Sequence, residues 1–275
     1  MVCAIVGLGL MGGSFGLATK NLFDKIIGID HNPKHQEDAL RLGLVDEIGD
    51  INAVTHADVI ILAIPIRGII NTLKEISKLP IKKDALIIDF GSTKETIINE
   101  CPANIRKNLV ASHPMAGTEY SGPQAAIGDL YYNKIMVVCN IEDSGEKQKE
   151  LAFKIFDYLK MKIKLMDAAE HDRHAAFISH MPHIVSFSIA NAVLKQEDKD
   201  HIVTLAAGGF RDMSRLAKSN PYMWRDIFKE NKQNLLDSIE AFKSELKKAK
   251  EMIENEEWEK LKDWMETGNE LHKIM

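Results

Sequence analysis

At 275 residues, 45% apolar and 27% charged, the chain has the composition of an ordinary globular protein and the length of one large domain or two modest ones. A net charge of −5 argues against a nucleic-acid partner, and no apolar run reaches the roughly 20 residues that span a bilayer, so a membrane partner is not expected either. No signal peptide precedes the first strand, and Cys3, Cys101 and Cys139 sit singly without CxxC spacing, which suits a reducing cytoplasm.

Short β-branched runs open the chain: Val2–Gly7, Lys25–Asp30, Asp58–Ile64, Ala85–Asp89, Leu109–Ser112 and Ile135–Asn140. They are continuously apolar rather than alternating, as in parallel strands covered on both faces. Helical stretches separate the first five, so the fold class is α/β with a doubly wound parallel sheet. Gly7-Leu8-Gly9-Leu10-Met11-Gly12 follows the first strand directly and opens a helix. That is the Rossmann dinucleotide fingerprint: one glycine turns tightly, the next admits a pyrophosphate, the third packs helix on sheet. Gly7, Gly9, Leu10, Met11 and Gly12 are therefore the expected phosphate cradle. Asp30 ends the second strand, 18 residues after Gly12, where an acid would bind ribose hydroxyls. It would repel a 2′-phosphate and no arginine follows it, which selects NAD over NADP.

Ligands of such sheets bind beyond the carboxyl ends of the strands. Ser92 lies there after Ala85–Asp89, and His113 after Leu109–Ser112. An imidazole at that edge is a natural base for an alcohol oxidation, and a serine beside it could fix its tautomer.

The polar segment at 142–146 predicts a boundary there: a nucleotide-binding domain over 1–145 and a helical substrate-binding and dimerisation domain over 146–275, with Lys162–Met166 as a possible last strand. A histidine-rich helix carries His171, His174, His180 and His183. The His180-x-x-His183 spacing suits a metal, but no carboxylate or cysteine completes a set, so no metal is expected. Arg215 is a candidate carboxylate clamp, with Asp212 as its i,i+3 partner. After the capping run Ser219-Asn220-Pro221, apolar residues recur at Leu235, Ile239, Phe242, Leu246, Ala249 and Ile253, a stripe along a long helix. The stripe packs either on helices of the same chain or on a second copy. Its length favours a homodimer interface.

These motifs together resemble the prephenate dehydrogenases of tyrosine biosynthesis. The resemblance rests on residues 7–14, Asp89-Phe90-Gly91-Ser92-Thr93-Lys94, His113-Pro114-Met115-Ala116-Gly117-x-Glu119, Ser179-His180-Met181-Pro182-His183 and Gly209-Phe210-Arg211-Asp212-Met213-Ser214-Arg215. It implies NAD-dependent oxidative decarboxylation of prephenate to 4-hydroxyphenylpyruvate at a site between a Rossmann domain and an all-helical dimerisation domain. It also implies roles. His113 takes the proton of the ring hydroxyl, and Ser92 orients His113. Arg215 holds a carboxylate with Asp212 as its ionic partner. His183 contacts the pyruvyl side chain, Glu119 lies near the entrance, and His180 and His171 lie near the substrate. Two appendages of relatives, a fused chorismate mutase and a regulatory ACT domain, have no place in the chain. A monofunctional enzyme is therefore expected, and any tyrosine inhibition should be competitive.

Arogenate is the nearest alternative substrate. Its ammonium would want a carboxylate, and residues 180–188 contain none, although Glu119 could reach. A β-hydroxyacid dehydrogenase shares the opening motif but lacks the His-Pro-Met-Ala-Gly segment. A non-catalytic NAD-binding sensor would leave Ser92, His113 and Arg215 unexplained.

Overall fold

The computed structural model describes every residue except Glu119, Glu197 and Met275, and every side chain except those of Lys199 and Asp200 as well. It divides into two compact units, Met1–Asn231 and Lys232–Met275.

In the first unit, β1 (Val2–Val6), α1 (Leu10–Ala18), β2 (Lys25–Ile29), α2 (Pro33–Arg41), β3 (Glu47–Ile48), β4 (Val59–Leu62), α3 (Ile66–Ile76), β5 (Leu86–Asp89), α4 (Glu95–Asn99) and β6 (Leu109–Pro114) form successive β-α-β windings. Then come β7 (Ile135–Cys139), α5 (Glu146–Tyr158) and β8 (Lys162–Met166). The sheet order is β3-β2-β1-β4-β5-β6-β7-β8. Winding reverses at β1, so the crevice between β1 and β4 is the switch point where ligands enter such sheets.

The apolar runs are continuous because both faces are buried. Cys3 and Ile5 of β1 and Val59 and Ile61 of β4 join one core with Phe15, Ala39, Ile155 and Phe156. The alternate residues Ala4, Val6, Ile60 and Leu62 join the opposite core with Ile69, Leu73, Ile97 and Ile227. Each fully buried aliphatic side chain is worth about 1.5–3 kcal/mol, so both layers hold the strand edges rigidly.

The sheet departs from the sequence reading in three ways. The two-residue β3 is too short to leave a hydrophobic pattern. β7 runs antiparallel to β6, because among the described residues the connection between them holds only a 3₁₀ turn at Pro123–Ala125 and no α-helix to carry the chain back to the same edge. The sheet also continues past residue 145: α5 packs on the core and β8 pairs in parallel with β7. This edge strand carries Lys162 and Lys164, a charge pattern that discourages further strand pairing.

Beyond the sheet, α6 (Ala168–Ala175), a π-helical turn at Ala176–His180 and α7 (Met181–Leu194) form one continuous rod. By length and composition this helix could cross a bilayer, which the sequence reading had not expected of any segment. Three short helices follow, α8 (Lys199–Thr204), α9 (Gly208–Ser214) and α10 (Pro221–Glu230). Asn220 caps α10, accepting from Tyr222 N at 2.9 Å and Met223 N at 3.3 Å. The predicted long helix does not run on from Pro221, because α10 stops at Asn231. In the second unit, α11 (Lys232–Glu254) carries the apolar stripe and α12 (Trp258–Asn269) folds back on it, with Trp264 Nε1 donating to Glu245 at 2.9 Å.

Candidate active site

The glycine-rich turn is built for a ligand. Gly7 has a φ of +97°, open to glycine and strained for other residues. A Cβ at Gly12 would lie 1.9 Å from the Gly7 carbonyl oxygen, so α1 can pack only with glycine there. Gly9 is different: an added Cβ would meet nothing within 4 Å. Nothing in the chain requires glycine at this third position, whereas a pyrophosphate approaching the backbone would. Gly9 is also the N-cap of α1, so the first-turn amides of Leu10 and Met11 face the same space without intrahelical acceptors.

Asp30 is nearly buried and ties this turn to β2. Its Oδ2 accepts from Leu8 N at 2.9 Å and its Oδ1 from Asn32 N at 2.8 Å. Oδ2 also lies 3.4 Å from His35 Nδ1, so Oδ1 is the oxygen that retains a lone pair for a ribose hydroxyl. The residues present therefore fit a dinucleotide.

Gly7, Ser92 and His113 all lie at the carboxyl ends of parallel strands and so share one edge. His113 is partly buried at the end of β6. Its Nδ1 lies 2.9 Å from Nε2 of His171, with the rings edge to face. Burial, reinforced by His171, Lys94 and His180, holds His113 well below the ordinary imidazole range, so it is neutral at neutral pH. Among the described residues Ser92 makes no hydrogen bond, which corrects the expectation that it orients His113. Nδ1 of His113 is engaged by His171 instead.

Beneath them Lys94 is fully buried, ion-paired with Asp89, and its Nζ donates to Ser112 O at 2.6 Å. This pair clamps β5 to β6 directly under the Ser92 and His113 loops. Lys94 was legible only as part of a motif, because its burial follows from the fold.

His183 donates Nδ1–H to the Ser179 carbonyl at 2.8 Å and stacks on Trp224, with ring centroids 3.5 Å apart. Burial lowers its pKa, the Ser179 bond opposes this, and the nearby Arg215 guanidinium depresses it further. The turn that carries Arg215 is bound to α7 through Ala217 N and Ser186 Oγ, 3.0 Å apart. Trp224 Nε1 is buried and has no acceptor among the described residues, an orphan donor beside His183.

His180, expected near the substrate, is buried, and Asn231 Nδ2 donates to its Nδ1 at 3.1 Å. Burial pushes it down to about 4, so it is a neutral packing partner of Trp224. Asp212 forms no ion pair with Arg215 among the described residues. The i,i+3 spacing permits a pair across the end of α9 but does not by itself form one. Glu119 lies outside the described residues. Among those described, no cluster of His, Cys, Asp or Glu could hold a metal ion. Asp172, Asn231 and Trp224 were missed, and only the adjacency of Asp172 to His171 hinted at any of them.

Residues 15–165 match the family model for the prephenate dehydrogenase nucleotide-binding domain, and residues 167–267 match that for its dimerisation domain. The chain belongs to the prephenate dehydrogenase family. The prephenate dehydrogenase of Bacillus subtilis is 34% identical over 97% of this chain and 74% of its own length. The structure of the A. aeolicus prephenate dehydrogenase, with hydroxyphenyl propionate and NAD+, has a TM-score of 0.92 and 32% identity, covering 100% of this chain and 98% of that one. The Synechocystis arogenate dehydrogenase has a TM-score of 0.83 and 29% identity, covering 100% and 99%. As a member of the prephenate dehydrogenase family the protein is an NAD-dependent oxidoreductase. The boundary between the two family models falls just after β8, where the sheet ends.

Proposed function

We propose that the protein is a monofunctional, cytoplasmic prephenate dehydrogenase. It converts prephenate and NAD to 4-hydroxyphenylpyruvate, carbon dioxide and NADH. The observation that carries this reading is the arrangement of His113: Nδ1 engaged by His171, and no partner for Nε2 among the described residues. A neutral imidazole so placed can accept the proton of a ring hydroxyl.

NAD, when bound by Gly9, Leu10, Met11 and Asp30, supplies the hydride acceptor. As C4 of the ring is oxidised, its hydroxyl oxygen becomes a carbonyl, and His113 Nε2 takes the hydroxyl proton. That carbonyl draws the electron pair of the C1–carboxylate bond into the ring, which aromatises as carbon dioxide leaves. The product oxygen is then a phenolate. The prephenate dianion and NAD+ give a 4-hydroxyphenylpyruvate anion and NADH without net proton release. His113 can therefore return the proton to the oxygen from which it came. Ser92 hydrogen-bonds the ring hydroxyl at the same strand edge. Arg215 clamps a substrate carboxylate, and His183 presents Nε2 to the side chain.

The helical part, from Ala168 onward, binds substrate and pairs two copies. Residues 180–188 offer no carboxylate for an ammonium, which supports a keto acid over arogenate. Likeness to the Synechocystis enzyme keeps arogenate as the second reading. Tyrosine, which shares the ring and the carboxylate, would compete at this site.

The test is NADH formation at 340 nm with prephenate and arogenate offered in parallel. Turnover of prephenate alone bears out the proposal. Turnover of arogenate alone keeps the mechanism and overturns the side-chain assignment, and silence with both refutes the reading.

A further inference from the structure

Behind His113 lies a chain of polar contacts of which the reaction above uses only the last link, His171 on His113. Asp172 is buried, and its carboxylate accepts three N–H groups: Lys94 N at 2.8 Å, Glu95 N at 3.0 Å and His171 Nδ1 at 2.8 Å. The first two are backbone amides that open α4, so they can only donate. His171 is also buried, and its other nitrogen faces His113 Nδ1. Asn231 Nδ2 donates to the Asp172 carbonyl at 2.7 Å, anchoring this stretch of α6.

These contacts fix the protons along the chain. A carboxylate gripped by two amides is an acceptor, so the hydrogen between Asp172 and His171 resides on His171 Nδ1. With its one hydrogen on Nδ1, His171 offers a lone pair at Nε2, and His113 must carry its hydrogen on Nδ1. The lone pair of His113 is left on Nε2. A second proton on His171 would reverse the sense of the chain and block the base. We propose that Asp172 and His171 are positioning residues that hold His113 as its Nδ1–H tautomer, with Nε2 free to take a proton. The proposal rests on His113 acting as the base, as argued above.

Among the described residues, the charged and titratable groups around His113 are His171 and Asp172 on α6, Lys94 at the start of α4, Asp89 on β5, Cys139 on β7 and His180 on the π-helical turn. Only His171 shares a hydrogen bond with the His113 ring among the described residues.

Selective 15N-histidine labelling and long-range 1H–15N correlation read imidazole tautomers directly, in the free holoprotein with no substrate present. The expected result at neutral pH is Nδ1–H for both His113 and His171. An Nε2–H signal for His113 in the native protein would overturn the proposal. Two variants extend the test. His171→Gln places an amide oxygen near the lost Nε2, so His113 keeps its Nδ1–H form. His171→Leu removes the acceptor, releases the tautomer and lowers kcat at least about tenfold, with NAD affinity unchanged. A wrong tautomer can cost as much as about 10⁴-fold in a related proton-transfer arrangement. If the Leu and Gln variants show the same tautomer and the same kcat, His171 is packing only and the proposal fails. Because the spectra need no turnover, failure of the relay and failure of the prephenate reading are separable. The first appears as an Nε2–H signal in a working enzyme, the second as an intact relay in a protein inactive on both substrates.

Discussion

Glycine can serve the fold or the ligand, and the turn after β1 contains both cases within three residues. Gly9 has φ −77° and ψ −160°, values open to alanine, and a Cβ there meets nothing within 4 Å. Gly9→Ala should therefore fold normally: the smaller entropy of its unfolded chain, about 0.4–1 kcal/mol, is offset by the weaker N-cap preference of alanine. Tm should stay within roughly 4 °C of the native value. The same methyl stands where the pyrophosphate would approach. Losing one charged hydrogen bond costs about 1.5–3 kcal/mol, so the Kd for NAD should rise roughly 10- to 150-fold. Gly12→Ala behaves in the opposite way. Its Cβ would sit 1.9 Å from a backbone oxygen, so α1 must move and Tm must fall. Differential scanning fluorimetry and NAD titration by fluorescence would measure both variants. A Gly9→Ala protein that binds NAD like the native one would refute the assignment of this turn as the phosphate cradle. A Gly9→Ala protein destabilised as much as Gly12→Ala would refute the claim that the position is open.

His113→Asn should lower kcat by about 10²–10⁴-fold, the usual contribution of a positioned base, and leave the Kd for NAD unchanged. Because burial depresses His113, the acid limb of the kcat/KM profile should fall below pH 6.5, and a limb above 7 would contradict the site's electrostatics. Arg215→Ala should raise the KM for the acid substrate roughly 10- to 150-fold without changing that for NAD, as expected for one charge-assisted bond. His180 makes stability pH-dependent. Folding lowers its pKa from 6.5 to about 4, so the unfolded chain binds the proton first. Stability is complete above about pH 6.5 and is lost as pH falls toward 4, by roughly 3 kcal/mol, or 6–12 °C in Tm. His180→Gln should flatten the Tm–pH curve, and an unchanged slope would remove His180 as its source.

The parallel strands and the glycine turn were legible because they follow from local rules. Continuous apolar runs require two covered faces, and the burial of alternate β1 and β4 residues in opposite cores supplies them. The placement of His113 followed from the same rule, since an edge position depends only on where its strand ends. What orients His113 was not legible. Ser92 is near in sequence logic, but the imidazole pairs with His171, 58 residues away, through a helix whose docking no local pattern encodes. Asp212 failed for a smaller reason: i,i+3 spacing permits an ion pair without requiring one.

The rod from Ala168 to Leu194 reverses the usual order of a helix in water. Its buried groups include His171, Asp172, His180 and Ser186, whereas Phe177, Ile178 and Leu194 are exposed, Ile178 by 68%. The polar face is accounted for by the hydrogen bonds around His113 and Asn231. That use of the inner face ties the helix to the strand edge of the sheet. The outer face is left without cover in a single chain. On α11, Leu246 and Ile253 are exposed in the same way. Both stretches fall within residues 167–267, which match the family's dimerisation domain. A homodimer that covers these faces is therefore the expected state, and light scattering after size exclusion would measure it. Ile178→Glu would place a charge in the contact and should shift the protein toward monomer while leaving the NAD affinity of the sheet unchanged. A native protein that runs as a monomer at micromolar concentration, or a variant that dimerises as well as its parent, would show that something other than a second copy covers the rod.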